Sequence, residues 1–140
     1  MTNIPTEFDW YDAWILAALI YAQEESAPVP LWRLIATADA LGKLIVFREE
    51  LEVALARLDR AGYVRVVPDG FEATAKALAL KAPGAPVLIV ERAIGSKPWS
   101  QHAQVPKTSE EIYVSAEAHA AALKKYRKEF RRMYRDAPDA

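Results

Sequence analysis

The stretch from Phe47 to Thr74, FREELEVALARLDRAGYVRVVPDGFEAT, constrains the fold more than any other part of the chain. Over Arg48 to Ala61, Leu51, Ala54, Leu55, Leu58 and Ala61 recur at helical spacing, which gives this segment one apolar face. Gly62 closes the helix, because glycine enters the left-handed turn that ends one without a Cβ penalty. Tyr63-Val64-Arg65-Val66-Val67 is β-branched and aromatic, as strands are. Pro68-Asp69-Gly70 turns the chain back into Phe71-Glu72-Ala73, and Thr74 caps a short helix from Ala75 to Lys81. The expected fold class is mainly α with a small β-hairpin.

Upstream, Thr6 or Asp9 is placed to cap a first helix of about Trp10 to Glu25. Its Tyr11, Trp14, Ile15, Ala18, Leu19 and Ala22 form one stripe, and Leu16, Ile20 and Tyr21 widen it onto a second face. A helix apolar on two faces is buried on two sides. Pro28 and Pro30 break it by removing backbone donors. A second helix follows from Leu31 to Leu41, with Gly42 expected to be the left-handed residue that ends it. The connection from Gly42 to Val46 is longer than the tight turn of about three or four residues in a helix-turn-helix.

Downstream, Pro83-Gly84-Ala85-Pro86 marks a boundary. Val87 to Ile94 fits either a buried strand or a short helix, and Pro86 before it with Gly95 after it favours the helix. Residues 96–108 have loop composition, Ile112-Tyr113-Val114 reads as extended, and Ser115 caps a last helix running to about Arg135. That helix sets Ala116, His119, Ala120, Leu123, Tyr126, Phe130, Met133 and Tyr134 against Lys124, Lys125, Lys128, Arg131, Arg132 and Arg135.

The succession L-x-x-x-L-x-x-L-x-x-A-G-Y-V (Leu51 to Val64), then D-G-F and Thr74, resembles the recognition helix and wing of bacterial winged helix-turn-helix regulators over roughly residues 31 to 82. The whole chain, with its basic Tyr126-x-x-x-Phe130 helix, also resembles a group of small uncharacterised bacterial winged-helix proteins. The resemblance implies a winged helix-turn-helix core at residues 1–82 and a C-terminal helical extension at 83–140 packed on it. Double-stranded DNA is the partner it implies, and transcription regulation the function. The candidate contacts are Arg57 and Arg60 on the recognition helix, Lys43 before it, Arg65 on the wing, and Lys128, Arg131 and Arg135 on the last helix.

Charge complicates that expectation. Residues 1–80 carry seven basic and twelve acidic side chains, a net of −5, whereas residues 81–140 carry eleven and seven, a net of +4. From Arg48 to Arg60 there are three basic against four acidic residues. Non-specific DNA affinity comes mainly from neutralised phosphates, so this helix alone supplies no such attraction, and the basic ridge of the last helix, or a dimer that sums two ridges, must furnish much of it. The alternative is a protein-interaction module whose acidic helix face docks a basic partner, with a homodimer formed through the 115–135 helix. The ridge itself reads as a solvated face, a phosphate contact or, least of all, attachment to an anionic membrane surface.

Other chemistry finds little support. There are no cysteines and only two histidines, which excludes thiolate and histidine-rich metal sites. His102 near Ser100 lacks a nucleophile elbow or a spaced acid, and His119 falls on an apolar stripe. Glu24-Glu25 and Glu49-Glu50 are adjacent on helices and so point about 100° apart. Trp10, Trp14, Trp32 and Trp99 form either core or an effector pocket. No enzymatic activity and no cofactor is expected. The longest apolar run, Ala13 to Ala22, is ten residues, short of the roughly 20 that cross a bilayer. With no secretory signal read in residues 1–10, the expected location is cytoplasmic.

Overall fold

A computed structural model describes residues 10–42, 45–95 and 113–136, with side chains as far as residue 132. Among these residues the order is α1 (Trp10–Ala22), α2 (Leu31–Gly42), α3 (Arg48–Arg60), β1 (Val64–Val67), β2 (Gly70–Ala73), α4 (Ala75–Leu78), α5 (Pro86–Gly95) and α6 (Ala116–Asp136). The fold is mainly α with a small antiparallel hairpin after the third helix, an order compatible with a winged helix. The segment at 87–94 is helical, as its flanking Pro86 and Gly95 suggest. The Thr6 and Asp9 caps and the 96–108 loop lie outside the described residues.

The helix α1 is the centre of the molecule. Every residue from Asp12 to Ile20 is buried, as expected for a segment apolar on nearly all sides. It packs against α2, α3 and α5, and Val90 and Ile94 of α5 belong to the same core cluster, so the C-terminal part shares this core. Burying side chains such as Ile15, Leu16, Leu19 and Ile20 contributes about 1.5–3 kcal/mol each. The Trp14 indole is buried as well, and its Nε1 donates to the Ala38 carbonyl at 2.7 Å, which satisfies its one polar atom.

Trp14 also explains Gly42. That glycine stays inside α2 rather than in the left-handed turn expected of it, and only Gly62, Gly70 and Gly84 have positive φ. A Cβ on Gly42 would stand 2.7 Å from the Trp14 ring, so the residue is small for packing and not for capping.

The end of α3 behaves as its sequence indicates. Gly62 has φ +83, Tyr63 N donates to Leu58 O at 2.9 Å, and Gly62 N donates to Asp59 O at 3.0 Å. These two bonds make a Schellman closure. The hairpin pairs Val64 with Ala73, Arg65 with Glu72, Val66 with Phe71 and Val67 with Gly70. A third, one-residue strand comes from the Pro28–Pro30 linker, where Val29 and Phe71 exchange both backbone bonds at 2.8 and 2.9 Å. Gly70 has φ +149, and a Cβ there would run into the Val29 carbonyl.

Three boundaries differ from expectation. The helix α1 stops at Ala22, where the backbone bonding tightens from Gln23 N to Leu19 O into the three-residue bonds Glu24 N to Tyr21 O and Glu25 N to Ala22 O, and the Gln23 side chain pairs with β2. Its Oε1 accepts from Ala73 N at 2.6 Å and its Nε2 donates to Ala73 O at 3.3 Å. Thr74 does cap α4, which ends at Leu78 and not Lys81. Tyr113 and Val114 form a bend and not an extended segment, since their amides turn inward to a carboxylate on α3; Ile112 lies outside the described residues. Ser115 then caps α6, its Oγ accepting from Ala118 N at 3.0 Å.

Candidate nucleic-acid interface

Two surfaces hold the expected contacts, the outer side of α3 with the hairpin, and the cationic side of α6. On α3 the stripe Leu51, Ala54, Leu55 and Leu58 faces the core. What remains outside is Glu49, Val53 and, in part, Glu50 and Arg60. The Arg57 side chain is only 8% exposed, with Nη1 2.9 Å from the fully buried Asp12 carboxylate of α1. A charge withdrawn from water is stable only with a close partner, and Asp12 is that partner. The pair is 45 positions apart, so only the packing of α1 on α3 brings it together.

The opposite flank of α3 is also taken. Glu52 accepts from the backbone amides of Tyr113 at 2.9 Å and Val114 at 2.5 Å, and Asp59 accepts from the Tyr113 hydroxyl at 2.6 Å. Arg48 donates to the Val114 carbonyl at 3.2 Å. Two of the four acids of this helix therefore serve as clamps for the start of α6. Sequence reasoning took them only as charge, because nothing local identifies amides some 60 residues away.

Among the remaining candidates, Arg60 is half-buried, and its Nη2 is enclosed without a hydrogen-bond partner among the described residues. Arg65 is exposed on β1 but held by Glu72, directly across the hairpin, at 2.8 Å. Lys43 lies outside the described residues, as does the side chain of Arg135. Lys128 and Arg131 are exposed on α6.

The helix α6 packs against α2. Ala122 is buried there, and the Tyr126 hydroxyl donates to Asp39 at 2.5 Å. His119, expected as a partly buried histidine on the apolar stripe, has Nε2 3.1 Å from the Val46 carbonyl. The other side of the helix carries Lys124, Lys125, Arg127, Lys128, Arg131 and Arg132, all exposed. At about 100° per residue these six fall within an arc of about 160°. None forms an ion pair among the described residues, and the nearest substitute is Lys125 Nζ, 5.4 Å from the centre of the Trp32 ring. Arg127 was missing from the sequence-based ridge because it directly follows the apolar Tyr126, although helical spacing places it one turn before Arg131.

Pairs of like charge one turn apart, such as Lys124 with Lys128, Arg127 with Arg131 and Lys128 with Arg132, each cost a helix about 0.2–0.5 kcal/mol. Between Lys124 and Arg132 the one acidic residue is Glu129, and Tyr126 and Phe130 are the two apolar ones. This stretch is about 12 Å long, and a duplex carries one charge per ~1.7 Å of axis, so the cations match about seven phosphates in span.

No helix among the described residues is long and apolar enough to cross a membrane, and no cluster of three potential metal ligands occurs among them. Comparison of the chain with protein-family models, with curated proteins and with solved structures found no match.

Proposed function

We propose that the protein is a DNA-binding winged-helix protein, a transcription regulator, in which α6 supplies most of the attraction to the phosphate backbone. The observation that carries this reading is the set of six exposed cations between Lys124 and Arg132, none of them in an ion pair among the described residues. The order of three helices and a hairpin supports the winged-helix part, and the bridge from Val29 to Phe71 adds the short third strand such a core uses.

The two candidate arginines of α3 contribute unequally. Arg57 is committed to Asp12, whereas Arg60 keeps one edge at the surface. Base reading by this helix is therefore limited, and binding is dominated by backbone contact with modest sequence preference.

Fluorescence-anisotropy titration of a labelled random-sequence duplex tests the reading. Binding at low salt should weaken on a log–log plot with a slope of about −4 to −5, the value for about five contacted phosphates. Absence of binding at low salt, to random and to upstream genomic duplex alike, would overturn it.

A second reading, a protein-docking winged helix that binds no DNA, draws on the other surface. A cleft of about 280 Å³ is lined by Tyr11, Asp12, Glu49, Glu50, Val53 and Arg57, and its balance is acidic. A basic partner would suit it, and co-purification of such a partner together with a failed DNA titration would favour this reading.

A further inference from the structure

Beside the ridge, α6 and the end of α2 enclose a groove of about 310 Å³ lined by Asp39, Ile45, Tyr126, Arg127, Phe130 and Arg131. That volume lies at the lower end of the range for small-ligand sites, about 300–1,000 Å³. Two of its walls are large apolar side chains left in water, Ile45 at 37% and Phe130 at 46% exposure. Phe130 meets Tyr126 edge to face, with ring centres 6.0 Å apart, so the aromatic wall has a fixed orientation.

The charges of the groove are equally specific. Arg127 and Arg131 stand one helical turn apart without carboxylate partners among the described residues, and Arg131 Nε donates to the Arg127 carbonyl at 3.3 Å, which holds the second guanidinium along the helix. Among the described residues Asp39 is the one acid in the lining, and its Oδ2 accepts the Tyr126 hydroxyl at 2.5 Å. One acid against two arginines leaves these residues a net charge of +1. The apolar walls ask for an aromatic or short aliphatic body, and the net charge asks for a single anionic group.

The geometry points to a binding site for a small amphipathic monoanion, an aromatic or medium-chain carboxylate. Its carboxylate pairs with Arg127 and Arg131, and its apolar body lies against Ile45 and Phe130. Arginine suits this role because its planar fork meets a carboxylate with two parallel hydrogen bonds. The site does not depend on DNA binding, since ligand association is read directly.

The test is calorimetric titration of the full chain with 2-naphthoate, with 2-naphthalenemethanol as the same ring without charge and acetate as the charge without a ring. Saturable 1:1 binding of 2-naphthoate is expected, with both controls about tenfold or more weaker. The double variant Arg127→Gln/Arg131→Gln should reduce 2-naphthoate to the affinity of the alcohol, and Ile45→Glu should weaken it to a similar extent. Glutamine is a good helix former, and circular dichroism verifies that α6 persists. Lys124→Gln/Lys128→Gln, on the same ridge but outside the groove, should bind as the unmodified chain does. No saturable heat with 2-naphthoate, unchanged affinity in Arg127→Gln/Arg131→Gln, or an equal loss in Lys124→Gln/Lys128→Gln would overturn the proposal.

Discussion

The helices α3 and α6 each carry cations on a surface helix, yet the fold treats them in opposite ways. In α3, Arg57 is drawn under α1 to meet Asp12, and Glu52 and Asp59 are drawn to the segment that begins α6. Much of the charge on that helix is internal wiring. In α6 only the apolar side, through Ala122 and Tyr126, is used against α2, and six cations are left to solvent. Charges that hold a fold together have fixed partners, and charges that attract a ligand must be left without them. By that criterion α3 is a structural helix, and the proposed function assigns recruitment to α6.

The largest effect is expected for Asp12→Ala. It strands the Arg57 guanidinium in a site where that side chain is 8% exposed, and should cost about 3–5 kcal/mol in denaturant unfolding. The paired replacement Asp12→Leu/Arg57→Met should recover most of that loss, because no buried charge then remains. A cost under about 1 kcal/mol for the single variant would mean that Arg57 reaches water and that α3 has a second free cation.

Next in size is the contrast in DNA affinity. Lys124→Glu/Lys128→Glu/Arg132→Glu should weaken duplex binding about 100-fold at low salt, about 2.7 kcal/mol, whereas Arg60→Ala should cost less than about threefold. The reverse ranking in anisotropy titrations would return the reading role to α3. The clamp between the two helices comes third. Glu52→Ala removes the acceptor of two backbone amides and should lower stability by about 2 kcal/mol, measured by urea unfolding.

Two smaller effects complete the series. Burial raises the Tyr63 pKa above its ordinary value, so the folded state holds this proton more tightly than the unfolded chain does. The associated stability is fully present below the unfolded pKa of about 10 and is lost as pH rises through the folded value. Tyr63→Phe should therefore flatten the alkaline limb of a plot of stability against pH, leaving the neutral region little changed. Arg65→Ala removes an exposed pair with Glu72 and should change stability by no more than about 0.5 kcal/mol, since such pairs are largely screened.

Local chemistry made the sequence-legible part of the fold visible. The apolar stripe of α3, the Gly62 stop, the Thr74 and Ser115 caps and the Pro86 helix start act within a few residues of themselves, and each is where it was expected; the hairpin loop is Pro68-Asp69, with Gly70 already paired to Val67 in β2. The single-residue strand at Val29 was invisible because its partner, Phe71, is 42 positions away and nothing in Pro28-Val29-Pro30 marks a strand. Gly42 was misassigned for the same kind of reason. Its conformation follows no cap rule, and its size answers to Trp14 on another helix.

For the candidate interface, composition and a helical period are enough to say which residues are charged and that α6 carries a basic ridge. Which of those charges are available follows from the packing of the helices. Burial and pairing depend on what another segment brings within about 3 Å, and Asp12 reaches Arg57, and Glu52 the Tyr113 and Val114 amides, only after the helices have packed.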